Sequence, residues 1–218
     1  MPVPRELQSP LAVQAYPVSV GLALAGGVAL LLGWGWVAAV ALVLALANLA
    51  FFRNPERVIP PGEKLVVSPA DGRVVEVTRL EQPDGFVGPA WRVAIFLSIF
   101  NVHINRAPVS GKVRAVQKSG SRFLAAFNKN ASERNVQSRM DLEGAEGLRI
   151  GVVQITGLIA RRIISYPSEG GTLTRGQPYG LICYGSRVEL YLPIESEIHV
   201  VPGDRARGGE TIIAEVRA

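Results

Sequence analysis

The chain has 218 residues, enough for one substantial domain or two small ones, and 48% of them are hydrophobic, more than a water-borne domain of this size needs. The net charge of +5 suits an anionic partner, but no basic stripe with interleaved aromatics and no nucleic-acid-binding motif is present, which argues against nucleic acid as that partner. A single cysteine, Cys183, excludes a disulfide within the chain, and one Cys with two widely separated histidines argues against a metal site.

The excess apolar material lies at the N-terminus. No Asp, Glu, Lys or Arg occurs between Leu7 and Phe52, and from residue 17 the run PVSVGLALAGGVALLLGWGWVAAVALVLALANLAFF is almost continuously apolar. A hydrocarbon core of ~30 Å takes roughly 20 helical residues at 1.5 Å each, so residues 17–52 are too long for one untilted helix and suit two short ones. The glycines of GWGW, residues 33–36, permit a tight turn, and Trp34 and Trp36 suit the headgroup region. A transmembrane helical hairpin over residues 1–52 is therefore predicted, with a single tilted helix as the alternative. A signal peptide would have a basic leader, a shorter apolar run and a small-residue cleavage site. Arg53, Arg57 and Lys64 follow the apolar run whereas only Arg5 precedes it. This positive-inside bias predicts a cell-membrane protein whose remaining domain, 53–218, lies on the cytoplasmic side, its surplus positive charge set against anionic headgroups.

NPERVIPPGEK, with three prolines and a glycine, cannot continue a helix and reads as a linker. Beyond it, KLVVSPADGRVVEVTRL predicts two strands around the turn 69–72, WRVAIFLSIFNVHINRAP a long apolar run, and GKVRAVQKSG an alternating strand. Phe123, Leu124 and Phe127 of SRFLAAFNKNASERN fall at helical spacing and predict one minor helix. RIGVVQITGLIARRIISYP, QPYGLICYGSRVELYLP and SEIHVVPGDRARGGETIIAEV are strand-like, with glycine turns. The fold class expected is mainly β, a sandwich or barrel-like soluble domain with one minor helix. No βαβ alternation and no glycine-rich phosphate loop is visible, which argues against a doubly wound nucleotide-binding fold.

Each residue that could do chemistry also has an ordinary structural reading. His103 sits at a strand end, where its ring can serve a nearby carbonyl, and His199 alternates with Ile198 and Val200 as a solvated strand residue. Asp71 in Pro-Ala-Asp-Gly is what a turn between strands favours. Gly185 and Ser186, which interrupt CYGSRVELYLP just before its apolar segment, read as a β-bulge. Together, however, Asp71, His103 and Ser186 are the residue types that turn a hydroxyl into a nucleophile. A Gly-x-Ser-x-Gly nucleophile elbow is absent from the sequence, so an α/β-type hydrolase is not supported.

Four segments in order, FFRNPER (51–57), VSPADGRV (67–74), NVHINRAPVSG (101–111) and GLIARRI (157–163) with YGSRVELYLP (184–193), resemble the phosphatidylserine decarboxylase proenzymes, in particular their short, membrane-anchored bacterial and archaeal form. The resemblance spans essentially the whole of 53–218. It implies a proenzyme that cuts itself between Gly185 and Ser186 into a β subunit (1–185) and an α subunit (186–218) that remain together as a heterodimer. Residue 186 becomes a covalent pyruvoyl cofactor.

In that chemistry the Ser186 hydroxyl attacks the Gly185 carbonyl, and an N-to-O acyl shift gives an ester. Loss of the Ser186 α-proton expels the Gly185 carboxylate, and hydrolysis with release of ammonia leaves pyruvoyl. The resemblance assigns His103 as the base and Asp71 as the residue that orients it, a role that typically contributes ~10² to 10⁴ in rate. The pyruvoyl carbonyl would form a Schiff base with the serine headgroup of phosphatidylserine in the bilayer and serve as electron sink for loss of CO2, leaving phosphatidylethanolamine. Arg106, Lys112 and Arg114 are candidates for the phosphodiester, with a solvated basic face as the alternative. Many longer relatives carry Gly-Ser-Thr at the cut and a second histidine three positions before the motif histidine. This chain has Gly-Ser-Arg, as the short form does, and Phe100 in place of that histidine, so a second-histidine role does not transfer. Two alternatives stay open: the same chemistry on another serine-headed lipid such as archaetidylserine, and a non-catalytic membrane-anchored β-domain.

Overall fold

The apolar N-terminal run folds back on itself. In a computed structural model of the chain, which describes residues 1–84, 86, 88–124, 131–158, 162–183 and 186–216 (the side chains of Ala131 and Glu133 apart), α1 (Ala15–Leu31) and α2 (Gly35–Phe51) form an antiparallel hairpin. The break falls within a residue or two of the glycine-tryptophan segment, at residues 32–34, where Gly33 takes a left-handed φ of 77°. The hairpin belongs to a unit spanning Pro4–Glu56; the remainder, Met1–Val3 with Arg57–Ala218, is a second unit.

Within the hairpin, small and polar side chains face inwards and large aliphatic ones face out. Ala15, Ser19, Gly26 and Ala29 of α1 are buried, as are Ala41, Ala45, Asn48 and Phe51 of α2. A Cβ added to Gly26 would stand 3.2 Å from the Ala41 Cβ, so glycine sets how closely the helices approach. Asn48 Nδ2 donates to the Ala15 carbonyl and to Ser19 Oγ, both at 2.9 Å, and ties the open end of the hairpin. Leu24, Leu31 and Leu42 are largely exposed. Each helix has 17 residues, about 25 Å at 1.5 Å per residue. Among the described residues no helix is long and apolar enough to cross a membrane. The chain thus adopts the predicted hairpin and not the single tilted helix, while the break at 32–34 leaves both helices shorter than the transmembrane spans expected from residues 17–52.

The second unit is built from antiparallel strands: β1 (Leu65–Val67), β2 (Gly72–Leu80), β3 (Ala90–Leu97), β4 (Ile104–Arg106), β5 (Gly111–Ser119), β6 (Gln137–Glu143), β7 (Arg149–Ile155), β8 (Arg162–Ser165), β9 (Thr172–Leu173), β10 (Pro178–Cys183), β11 (Ser186–Pro193), β12 (Glu197–Ile198), β13 (Arg205–Ala206) and β14 (Ile212–Glu215). Eight form one sheet in the order β13-β2-β3-β11-β7-β6-β5-β9, and two three-stranded sheets, β4-β10-β8 and β1-β14-β12, contribute to the same apolar core. Val188, Leu190 and Leu192 of β11 face that core, while Arg187 and Glu189 on its other face are buried as an ion pair (2.8 Å). The turn before Gly72 carries the chain from one sheet to another, because β1 pairs with β14 whereas β2 pairs with β3 and β13.

The mainly β expectation matches this architecture, but the minor helix is shorter and later than expected. It is α3 (Ala131–Arg134), a single turn; Phe127 lies outside the described residues, and Phe123 and Leu124 are not helical. Asn135 explains the difference. Its buried side chain accepts from the Leu124 N–H and donates to the Leu124 carbonyl, both at 2.8 Å, pairing that backbone as a strand would and leaving it unavailable to a helix.

Candidate active site

Four neighbouring strands share one end at which the motif residues gather. Ser186, the first residue of β11, pairs with Leu97, the last residue of β3; Arg187 faces Ile155, the last residue of β7. Gly72, the first residue of β2, lies so close to the Phe96 carbonyl that a Cβ there would collide with it, which is why the turn bearing Asp71 needs glycine next. Ser186 is wholly buried, and its Oγ has no hydrogen-bond partner among the described residues. Gly185, the other half of the expected cleavage site, lies outside the described residues.

His103 reaches the same end by a tight turn. After β3 the chain reverses through residues 98–101, where Asn101 Oδ1 accepts from the Ser98 N–H (2.9 Å) and Ser98 Oγ (2.8 Å), and the Asn101 N–H donates to the Ser98 carbonyl (2.9 Å). His103 is 1% exposed, and its Nδ1 lies 3.0 Å from the Asn101 carbonyl. A carbonyl can only accept, so Nδ1 carries a proton. The His103 carbonyl accepts from the Ile182 N–H (3.3 Å), which sets the histidine beside the strand, β10, that leads through residues 184 and 185 to Ser186.

The Asp71 carboxylate accepts from Arg57 Nη2 on both oxygens (3.0 and 2.9 Å) and from the Gly208 N–H (2.8 Å). Among the described residues these groups hold Asp71, while the Asn101 carbonyl takes His103 Nδ1. The turn bearing Asp71 lies against the end of β4, with the Arg106 N–H donating to the Pro69 carbonyl (2.9 Å). Arg57 also approaches Glu210 (3.6 Å). Gly209, at φ 84°, lets the 207–210 loop deliver the Gly208 N–H.

The three basic candidates separate. Arg106 is buried, donates from Nη1 to the Gly176 carbonyl (3.0 Å), and belongs to the Arg57–Asp71–Glu210 cluster; burial and the neighbouring Arg57 charge lower its pKa to about 10. Lys112 and Arg114 lie on β5, which β7 and β6 separate from β11, and both are exposed, with Arg114 paired to Glu143. The sheet thus distances them from Ser186. His199 is exposed, as expected, and its N–H donates to the Ile213 carbonyl (2.9 Å).

Arg57, Asn101 and Gly208 were not singled out by sequence as site residues. Arg57 closes the FFRNPER motif and could have been found there, but its charge has the simpler membrane-flank meaning. Asn101 and Gly208 act through backbone atoms, which carry no residue-type signal.

A family model described as phosphatidylserine decarboxylase matches residues 44–214. The chain is 43% identical over 204 residues to a phosphatidylserine decarboxylase proenzyme of Geotalea daltonii, covering 94% of this chain and 95% of the relative. A protein of the same name from Geobacter sp. strain M21 is 43% identical over 215 residues (96% and 98%), and one from Symbiobacterium thermophilum 43% over 206 residues (94% and 95%). With a family model spanning most of the chain and relatives matched over nearly their whole length, the chain belongs to the phosphatidylserine decarboxylase family.

Proposed function

We propose that this chain is a self-processing phosphatidylserine decarboxylase that cuts itself between Gly185 and Ser186, carries a pyruvoyl group at residue 186, and forms phosphatidylethanolamine and CO2 at a membrane surface. The observation that carries the proposal is the Ser186 hydroxyl, wholly buried and without a hydrogen-bond partner among the described residues, at the end of the fold that also bears His103 and Asp71. A buried hydroxyl left unpaired costs about 1–3 kcal/mol, a cost tolerated at positions where chemistry uses the atom. That orphaned oxygen on the first residue of a well-anchored strand fits a side chain destined for conversion.

His103, with Nδ1–H directed at the Asn101 carbonyl, offers Nε2 as the base. It takes the Ser186 Oγ proton as the oxygen attacks the Gly185 carbonyl carbon; the C–N bond breaks, and that proton goes to the departing amine. The same base then removes the Ser186 α-proton as the Gly185 carboxylate leaves. A pyruvoyl group at residue 186 supplies an electrophilic carbonyl that accepts the electrons released as the substrate carboxylate departs. His103 serves again as the acid that returns a proton to the substrate carbon. Asp71 acts through the cluster with Arg57 and Arg106, fixing the turn that abuts the end of β4, the short strand that follows His103. Lys112 and Arg114 have no part in this proposal, and Arg106 serves as the partner charge of Asp71.

We place the hairpin in the bilayer. Its buried face is small and polar and its outer face is large and aliphatic, the reverse of a helix pair in water, where the large side chains would be covered. Two helices of about 25 Å suit a locally thinned bilayer or a re-entrant loop. The basic flank Arg53, Arg57 and Lys64 puts the second unit on the cytoplasmic face.

A denaturing gel with mass measurement tests the cleavage. The protein should give fragments 1–185 and 186–218, the smaller with a blocked N-terminus, and Ser186→Ala should stay intact at 23.4 kDa. An intact, unmodified chain from active protein would remove the proposal.

A further inference from the structure

The end of the fold that bears Ser186 also presents large apolar side chains to solvent. Ile99 and Phe100, at the tip of the turn that follows β3, are 50% and 81% exposed; Leu158, just beyond β7, is 59% exposed. In the sheet order β3-β11-β7 these two segments flank β11 on either side, and both lie at the end where β11 begins. The turn is rigidly built, since Asn101 Oδ1 holds the Ser98 N–H and hydroxyl, so it presents two apolar side chains on a fixed loop at a solvation cost.

Exposed arginines lie on segments that neighbour this apolar pair. Arg162, the first residue of β8, pairs with Cys183 at the end of β10. Arg122 and Arg134 are joined to the β7 exit through their neighbours: Arg122 bridges Asn135, whose Nδ2 donates to the Thr156 carbonyl (2.7 Å). Apolar tips and exposed arginines on neighbouring segments of one end complement a surface that is apolar beneath an anionic layer, which is an anionic bilayer.

We propose that this end of the second unit is a bilayer-docking surface separate from the hairpin: Ile99, Phe100 and Leu158 insert at the headgroup–acyl boundary and Arg122, Arg134 and Arg162 hold the anionic headgroups. The inference rests on the lipid-decarboxylase reading and adds how the substrate arrives. A lipid headgroup then reaches residue 186 from the membrane plane, with its acyl chains left in the bilayer.

Full-length protein reconstituted into phosphatidylcholine/phosphatidylglycerol vesicles containing phosphatidylserine tests it, with monomeric short-chain phosphatidylserine in detergent-free dilution as the second substrate. The variant Ile99→Ser/Phe100→Ser/Leu158→Ser should cut itself completely and act on the monomeric lipid at close to the parental rate. Its CO2 release from vesicles should fall on the order of ten-fold. Arg122→Gln/Arg134→Gln/Arg162→Gln should show the same loss at low salt and little difference from the parent at high salt, where screening removes the contribution. Phe100→Trp should add fluorescence quenched by lipids brominated on their acyl chains. Parental activity of the apolar variant on vesicles, or no added quenching in Phe100→Trp, overturns the docking surface and leaves the enzymatic reading intact. Complete cleavage with no CO2 from either substrate in the parent protein overturns both.

Discussion

At the residue scale, the site is defined by which hydrogen bonds are made and which is missing. Asn101 holds His103 Nδ1 through a main-chain carbonyl, whereas Asp71 is fixed by Arg57 and Gly208. His103→Asn keeps a donor at the Nδ1 position for the Asn101 carbonyl but removes the base, so uncut chain should accumulate with a melting temperature close to that of the Ser186→Ala protein. Asp71→Asn should also slow the cut, with lower stability, because the buried Arg57 then keeps only Glu210 as a counter-charge; the loss should fall below the ~3–5 kcal/mol typical of a buried charge left with no partner. A gel time course and thermal melts separate the two behaviours: rapid cutting in both variants would remove both residues from the proposal. The residue types Asp, His and Ser were legible in the sequence. Their partners were not, since two of the three bonds that position them involve main-chain atoms.

At the scale of elements, the proposed cut would release the N-terminus of β11, which must then hold its place. Arg187, next to the proposed cut, is clamped by Glu189 on the same strand and by Glu76 on β2 (both 2.8 Å), and Glu76 also receives Arg92 from β3. One ionic cluster therefore ties three of the four strands whose ends meet at the site. Burial would raise the Glu76 carboxyl, but the bonds from Arg92 and Arg187 outweigh it and bring its pKa down from 4.5 to about 2. A carboxylate with a depressed folded-state pKa contributes stability that is full above its unfolded value and lost as pH falls through the folded one. Chemical denaturation should therefore show stability declining between about pH 4.5 and 2, and Glu76→Gln should be less stable near neutral pH with a flatter decline. Equal acid sensitivity in wild type and variant would show that Glu76 is not responsible. The same scale shows a limit of periodicity: Phe123 and Leu124 carry helical spacing, yet Asn135, distant from them in a helical register, captures that backbone as an extended segment.

At the scale of the whole molecule, the proposed bilayer placement gives the two units different solvents. The hairpin packs through Gly26 and Ala41, so Gly26→Leu should wedge α1 from α2, and overpacking of this kind costs ~1–3 kcal/mol. In detergent the variant should lose helical ellipticity at a lower temperature than the parent while self-cleavage stays complete; an unchanged melt would argue against close helix packing at that position. The sequence by itself determined the apolar hairpin with its turn, the mainly β character of the rest, the family, and the residue types of the site. These follow from composition, from alternation and from short motifs, which are local properties of the chain. Only the tertiary structure decided that Asp71 is held by Arg57 and Gly208, that Lys112 and Arg114 stand apart from Ser186, and that Ile99, Phe100 and Leu158 flank it. Strand order and backbone hydrogen bonds made these decisions, because pairing between strands distant in sequence sets which loops share an end of the sheet.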